Sequence, residues 1–181
     1  MPFDESCIRP ATVDDARPIA EVHVASWKRT YHAILPASVL EDASADKWET
    51  SWKERLAVAR ADAITLVACG AAGEVIGFAS GGAERTGSLG CDGELYAIYL
   101  LEAARGQGLG TVLVRRIAGQ LQSMGLSSMA VWVLDLNPYK KFYEALGGAV
   151  IGEKTMQRGG ESFVALAYGW KDLGRLQRTK I

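Results

Sequence analysis

The sequence predicts an α/β protein: a mixed, mostly antiparallel central sheet with helices on both of its faces. Three observations carry this. Apolar residues recur at helical spacing in separate stretches, and two pairs of strand-like runs are each joined by a short glycine-containing turn. One apolar run, Ser128–Leu134, has the length of a buried central strand. The 181 residues carry 20 Lys+Arg against 21 Asp+Glu, a formal charge of −1, and 49% are apolar. At about 100–200 residues per domain, this is one domain spanning 1–181, with a core near 7–170 and a tail of 171–181. A domain of this size buries roughly 70% of its unfolded surface, so it needs neither disulfide nor metal to hold it.

Residues 7–10 read as a short first strand. Thr12 to Asp15 then offer acceptor side chains at a helix start, and Pro18 fits only near the first turn. Ala16, Ala20, Val24, Trp27 and Tyr31 follow on one helical face until Leu35-Pro36 breaks the pattern. A second helix runs from about Ser44, its N-cap, to Ala59, with Trp48, Trp52 and Leu56 on one face. Ala63–Cys69 and Glu74–Ser80 form a hairpin across Ala71–Gly73. Gly81 to Gly93 holds five glycines and reads as a loop, followed by a strand over Glu94–Leu101. Leu109, Leu113, Ile117, Leu121 and Met124 then mark a helix that stops at Gly125. After the central run, Asn137-Pro138 starts a short helix that ends at Gly147-Gly148. Ala149–Arg158 and Glu161–Trp170 flank the two-residue turn Gly159-Gly160. The tail, with Lys171, Arg175, Arg178 and Lys180, reads as a solvated end.

Composition excludes several classes of function. A pI near 6.1 provides no broad basic surface for nucleic acid. No run approaches the ~18 apolar residues of a membrane span, and Met1–Pro10 does not read as a secretory signal. Cys7, Cys69 and Cys91 are odd in number and widely spaced, which supports neither a disulfide framework nor a zinc site. A reducing, cytoplasmic setting is expected, with no nucleic-acid or membrane partner and no metal. The edges of a mixed sheet permit a homodimer.

Between the strand over Glu94–Leu101 and the helix from Leu109 lies Arg105-Gly106-Gln107-Gly108-Leu109-Gly110. Glycines let the backbone approach an anion, and the free N–H groups of a helix start point at it. Arg105 adds a forked cation; the alternative is a tight packing turn. Thr111-Val112 follows where a phosphate-loop NTPase needs Lys-Ser/Thr, and Thr111 also stands where a dinucleotide fold needs its third glycine. Both of those readings fail.

The remaining pattern, Arg105, Gly108 and Gly110, resembles the coenzyme A pyrophosphate loop of GNAT-type N-acetyltransferases. Ile8-Arg9-Pro10-Ala11-Thr12 with Asp15-Ala16 is similar to that family's first strand and helix. Leu95 to Leu100 resembles the strand leading into its loop, and Asn137-Pro138 through Gly148 its asparagine and tyrosine helix. Glu102 stands where the family often has proline, and Asn137 and Tyr143 are six apart where seven is common.

The resemblance covers nearly the whole chain. It implies the GNAT acyl-CoA N-acyltransferase fold and transfer of an acetyl group from acetyl-CoA to a primary amine by direct attack. The acceptor is left open between a small molecule and a protein or peptide amine. Arg105, Gly106, Gln107, Gly108, Gly110 and Thr111 would hold the coenzyme, with main-chain groups at Ile98 and Leu100 and the side chain of Asn137. Asn137 reads equally as a helix cap. Tyr143 would protonate the leaving thiolate, or else packs on Tyr139. Trp27 and Tyr31 would wall the acceptor site, although their spacing also suits a core, as does that of Trp48 and Trp52. Freeing an alkyl ammonium of its proton at pH 7 costs about 4.6 kcal/mol, so a base is useful. Glu94 is the first candidate, on the strand face of Tyr96, Ile98 and Leu100 by period two; an inert strand-end carboxylate is the alternative. His23 and His32 read as surface or cap partners, and Cys91 is not taken as a nucleophile. A rival from another class is a non-catalytic acyl-CoA-binding sensor, which would share fold and loop but lack turnover.

Overall fold

The computed structural model describes residues 7–58 and 60–178. Readings that fell on the N-terminal segment before Cys7, on Ala59 and on Lys180 lie outside the described residues. In chain order the elements are β1 (Ile8–Pro10), α1 (Ala16–Tyr31), α2 (Ala37–Asp42), α3 (Ala45–Ala57), β2 (Ala63–Cys69), β3 (Val75–Ala83) and β4 (Gly93–Leu100). There follow α4 (Leu109–Ser123), β5 (Met129–Leu134), α5 (Lys140–Ala145), β6 (Ala149–Arg158), β7 (Glu161–Trp170) and α6 (Leu173–Arg178). The seven strands form one sheet in the order β1-β2-β3-β4-β5-β7-β6, antiparallel except where β4 meets β5. The expected class, a mixed and mostly antiparallel sheet with helices on both faces, is the observed one.

The two faces have separate cores. On one, α4 buries Leu109, Leu113, Ile117 and Leu121 against Leu95, Met129 and Val131. On the other, α1 and α3 bury Ile19, Val22 and Trp52 against Val67 and Phe78. Asp15 ties the start of α1 down: it accepts from both terminal nitrogens of Arg9 (2.7 and 2.8 Å) and from the Thr12 backbone N–H (2.7 Å). Those partners hold its carboxyl below the usual carboxylate range, so this contribution to stability fades as pH falls toward the acid range.

Several expectations are corrected. The α1 stripe is broader than expected: Ala16, Ala20 and Tyr31 are buried as read, Ile19, Val22, Ser26 and Thr30 join them, and Val24 and Trp27 are only half-buried. The short α2 was not foreseen, and α3 ends at Ala57. Gly81 and Gly82 belong to β3, not to a loop, because the chain passes too close for side chains there. A Cβ on Gly82 would lie 2.4 Å from the Asp62 carbonyl oxygen. The tail is not solvated throughout: α6 buries Leu173 and Leu176 against the α4 core. The turn before the glycine loop forms without proline, as a single 3-10 turn over Glu102–Ala104.

One irregularity positions the site. Ser80 opposes Ala97 while Gly81 opposes Leu95, so Tyr96 is an extra, bulged residue in β4. The bulge reverses the strand's alternation. Leu95, Ile98 and Leu100 therefore share the α4 face, and Ala97 and Tyr99 face α1 and α3. Glu94, adjacent to Leu95 and opposite Gly82, lies on the face away from Ile98 and Leu100, contrary to the period-two expectation.

Candidate active site

β4 and β5 are paired in parallel only at Gly93–Met129 and Glu94–Ala130. Beyond those residues the strands part inside a sheet that is otherwise continuous, and a cleft opens between them. Its cavity is about 410 Å³, lined by Tyr96 to Leu100 on one side and Val131 to Val133 on the other. A sheet interrupted this way leaves strand edges without a strand partner, and an extended ligand can take up their main-chain groups.

The glycine turn closes the mouth of the cleft. Gly106 and Gly108 adopt φ of +73° and +83°, with nothing within 4 Å of where a Cβ would stand. Gly108 is the N-cap of α4, so the first N–H groups of a 15-residue helix open beside it. Gly106, Gly108, Gly110 and Thr111 all line the cavity. Gln107 does not: its side chain folds back to donate to the Ala103 carbonyl at 2.8 Å. The Arg105 guanidinium donates from Nε to the Leu100 carbonyl (3.0 Å) and from Nη1 to the Tyr139 hydroxyl (2.6 Å), stacking on that ring at 4.9 Å. Ser26 Oγ also donates to the Leu100 carbonyl, at 2.8 Å, so this oxygen is already satisfied.

Deeper in, three phenols meet. Tyr143 rises from α5, held between Phe142 (5.3 Å) and Tyr168 (5.9 Å), and lines the cleft with Tyr31 and Tyr99. Burial pushes the Tyr143 and Tyr99 phenols well above the ordinary range. Burial also raises Tyr31, opposed by hydrogen bonds from Asn137 and Tyr99. Asn137 does two jobs at once: its Nδ2 donates to the Tyr31 hydroxyl (3.0 Å) and its Oδ1 accepts from the Tyr139 backbone N–H (2.8 Å). It both turns the chain toward α5 and ties α5 to α1.

Two expected residues are elsewhere. Trp27 does not line the cleft; it packs on Tyr31 at 5.5 Å and Trp48 at 5.7 Å. Glu94, only 2% exposed, is not in the cleft either. Arg85 grips it with Nε at 2.9 Å and Nη2 at 2.5 Å. With both carboxylate oxygens occupied by Arg85 and the group outside the cleft, Glu94 has no lone pair placed to take a proton from a substrate there. His23 is also no surface residue: it is enclosed by Trp48, Trp52 and Tyr99, accepts from Trp52 Nε1, and burial drives it down to about 3. Among the described residues, no carboxylate or imidazole lines the cleft. Glu94→Gln is therefore expected to leave kcat within about twofold while costing about 1–3 kcal/mol of stability through the Arg85 bonds. Urea unfolding beside steady-state kinetics checks both.

Sequence reading missed Tyr99, Trp132, Tyr139 and Phe142 as cleft residues. The aromatic spacing of Tyr139 and Phe142 in a short helix was visible. Nothing local distinguished Trp132 from its buried neighbours.

A family model for FR47-like proteins matches residues 87–157, the stretch from β4 through β6. The chain is 39% identical over 170 residues, 94% of its length and 95% of the other's, to the uncharacterized N-acetyltransferase YuaI of Bacillus subtilis. Among solved structures it resembles a GCN5-related N-acetyltransferase from Rhodopseudomonas palustris, with TM-score 0.70 at 22% identity over 93% of this chain and 97% of that one. It also resembles a phosphinothricin acetyltransferase from Sinorhizobium meliloti in complex with AcCoA, with TM-score 0.67 at 22% identity, covering 94% and 88% of the two chains.

Proposed function

The chain belongs to the GNAT N-acetyltransferase family, and from that premise we propose that it moves an acetyl group from acetyl-CoA to a primary amine by direct attack, without an acyl-enzyme. The observation that carries this is the parting of β4 and β5 with a glycine turn at its mouth and the Tyr143 phenol inside. The turn fits a pyrophosphate: open left-handed glycines, the N-terminus of α4 and the Arg105 cation converge on one spot. Main-chain groups along β4 near Ile98 would take the pantetheine arm and polarise the thioester carbonyl. The Leu100 side of that strand end is committed to Ser26 and Arg105 and serves instead to fix the loop.

The thioester supplies an activated acetyl group; the chain's residues supply position and protons. The amine lone pair forms the C–N bond, the C–S bond breaks, and Tyr143 gives its phenolic proton to the departing sulfur. The proton shed by the nitrogen is relayed through water to the Tyr143 phenolate and restores the phenol. Tyr31, held by Asn137, lines the same cleft as Tyr143 and would form part of the wall that the acceptor meets. Tyr31→Phe strands the Asn137 amide and is expected to lower kcat about fivefold, with acetyl-CoA affinity within twofold, readable by steady-state kinetics and calorimetry.

The test is calorimetric titration with acetyl-CoA, NAD and ATP under one set of conditions, followed by amine-dependent release of CoA thiol. Selective, saturable binding of acetyl-CoA with amine-dependent thiol release is the expected result. Absence of acetyl-CoA binding overturns the proposal. No helix among the described residues is long and apolar enough to cross a membrane, and Cys7, Cys69 and Cys91 are unpaired, which supports a cytoplasmic enzyme. We take the chain as one domain, with the outer edge of β6 available to a second copy.

A further inference from the structure

Trp132 alternates with Val131 and Val133, which pack toward α4, so its indole faces the opposite side of the sheet. The glycine turn and the start of α4 mark the side from which a coenzyme's phosphates enter. An acceptor must come from the other, where Trp132 and the Tyr96 ring line the deep end of the cleft. Each of these rings carries a cation on its face. Arg85 lies 4.5 Å from the Tyr96 centroid and Lys154, from β6, 3.9 Å from the Trp132 centroid. Arg85 is neutralised by Glu94. Among the described residues no carboxylate pairs with the Lys154 ammonium. The Trp132 Nε1–H is buried and has no hydrogen-bond partner. One ammonium and one indole N–H are thus left without an oxygen acceptor at the same indole, which lines the cleft although Lys154 itself does not, and among the described residues no carboxylate or imidazole lines the cleft to receive a second cation.

We propose that Trp132 and Lys154 recognise a carboxylate on the acceptor, which is a small amine of amino-acid type; this rests on the acetyl-transfer reading above. A monoanion with two oxygens matches one N–H and one ammonium, with the exposed Lys154 side chain swinging off the indole face to admit it. The same positive rim disfavours a charged ammonium next to it and so favours the neutral, nucleophilic amine, which suits a cleft without a base. Polyamines would meet the Lys154 ammonium with no carboxylate in the cleft to offset it, and are disfavoured by that charge. The cavity, about 410 Å³ for both pantetheine arm and acceptor, keeps the acceptor small.

The experiment pairs each common amino acid with its own carboxamide as acceptor and measures CoA thiol release, with acetyl-CoA binding checked by calorimetry. The acid of the best pair is expected to exceed its amide in kcat/KM by at least about tenfold. Lys154→Gln is expected to remove about tenfold from the acid through KM, with kcat held, and to leave the amide within about twofold. Lys154→Glu is expected to reverse the preference. Trp132→Phe keeps the ring beneath Lys154 and deletes only the N–H, and about fivefold is expected to be lost on acids alone. Loss of acetyl-CoA binding in the wild type would overturn the acetyl-transfer reading and this one with it. If acetyl-CoA binds but amides or diamines serve as well as acids, or no acid is acetylated, acyl transfer stands and carboxylate recognition is overturned.

Discussion

Tyr143→Phe is expected to lower kcat about 100-fold while acetyl-CoA affinity changes less than about threefold. The size follows from what a positioned proton donor supplies, about 10²–10⁴ in rate. The separation of effects follows from packing: Phe142, Tyr168 and Trp170 hold the ring by its faces and edges, contacts that phenylalanine keeps. The phenol's raised pKa sets the pH behaviour. An acid pushed upward stays protonated through neutral and mildly alkaline pH, so wild-type activity should rise with amine deprotonation and show no loss of the donor below the ordinary tyrosine range near pH 10. Steady-state kinetics from pH 6 to 10, with calorimetry on both proteins, checks this. Unchanged turnover in the variant would remove Tyr143 from proton transfer and leave it as packing.

The parts of this fold that could be read in advance were those set by local chemistry. Ser44 caps α3 by accepting from the Lys47 backbone N–H, and Gly159-Gly160 turns β6 into β7, each within a few residues of the signal. The arginine and glycine spacing at 105–110 was legible for the same reason: backbone freedom and a helix start lie in one short run. What escaped depended on a partner strand or a distant side chain. The extra residue at Tyr96 follows from how β3 meets β4, and a single bulged residue turned Glu94 from the expected cleft face to an ion pair with Arg85. Asn137 looked like either a cap or a ligand. It is a turn-former whose amide reaches Tyr31, 106 positions away, through a fold no local pattern specifies. Helix α6 escaped because six residues carry too little periodicity to separate a docked turn from a solvated end.

Gly108→Val should weaken acetyl-CoA binding more than any other single change in the cleft, by about 100-fold, with kcat at saturation within about threefold. Space is not the obstacle, since nothing lies within 4 Å of the position a Cβ would take. The backbone is: φ of +83° is available to glycine and costly for a β-branched residue. Relief of that strain rotates the N-cap of α4, and the N–H groups that the cap aims into the cleft turn away together. Gly108→Ala should fall between, because alanine pays the left-handed cost without β-branching. Arg105→Ala should lose about tenfold by a different route, removing the cation and the bonds that brace the loop to Leu100 and Tyr139. The three can be ranked by thermal shift at one ligand concentration. At 100-fold excess over the wild-type Kd, bound acetyl-CoA adds about 2.7 kcal/mol to wild-type stability, and a 100-fold weaker variant would retain only about 0.4 kcal/mol of it. If the valine variant kept the full stabilisation, the coenzyme's anionic end would have to sit elsewhere, and residues 105–110 would be a packing turn with no binding role.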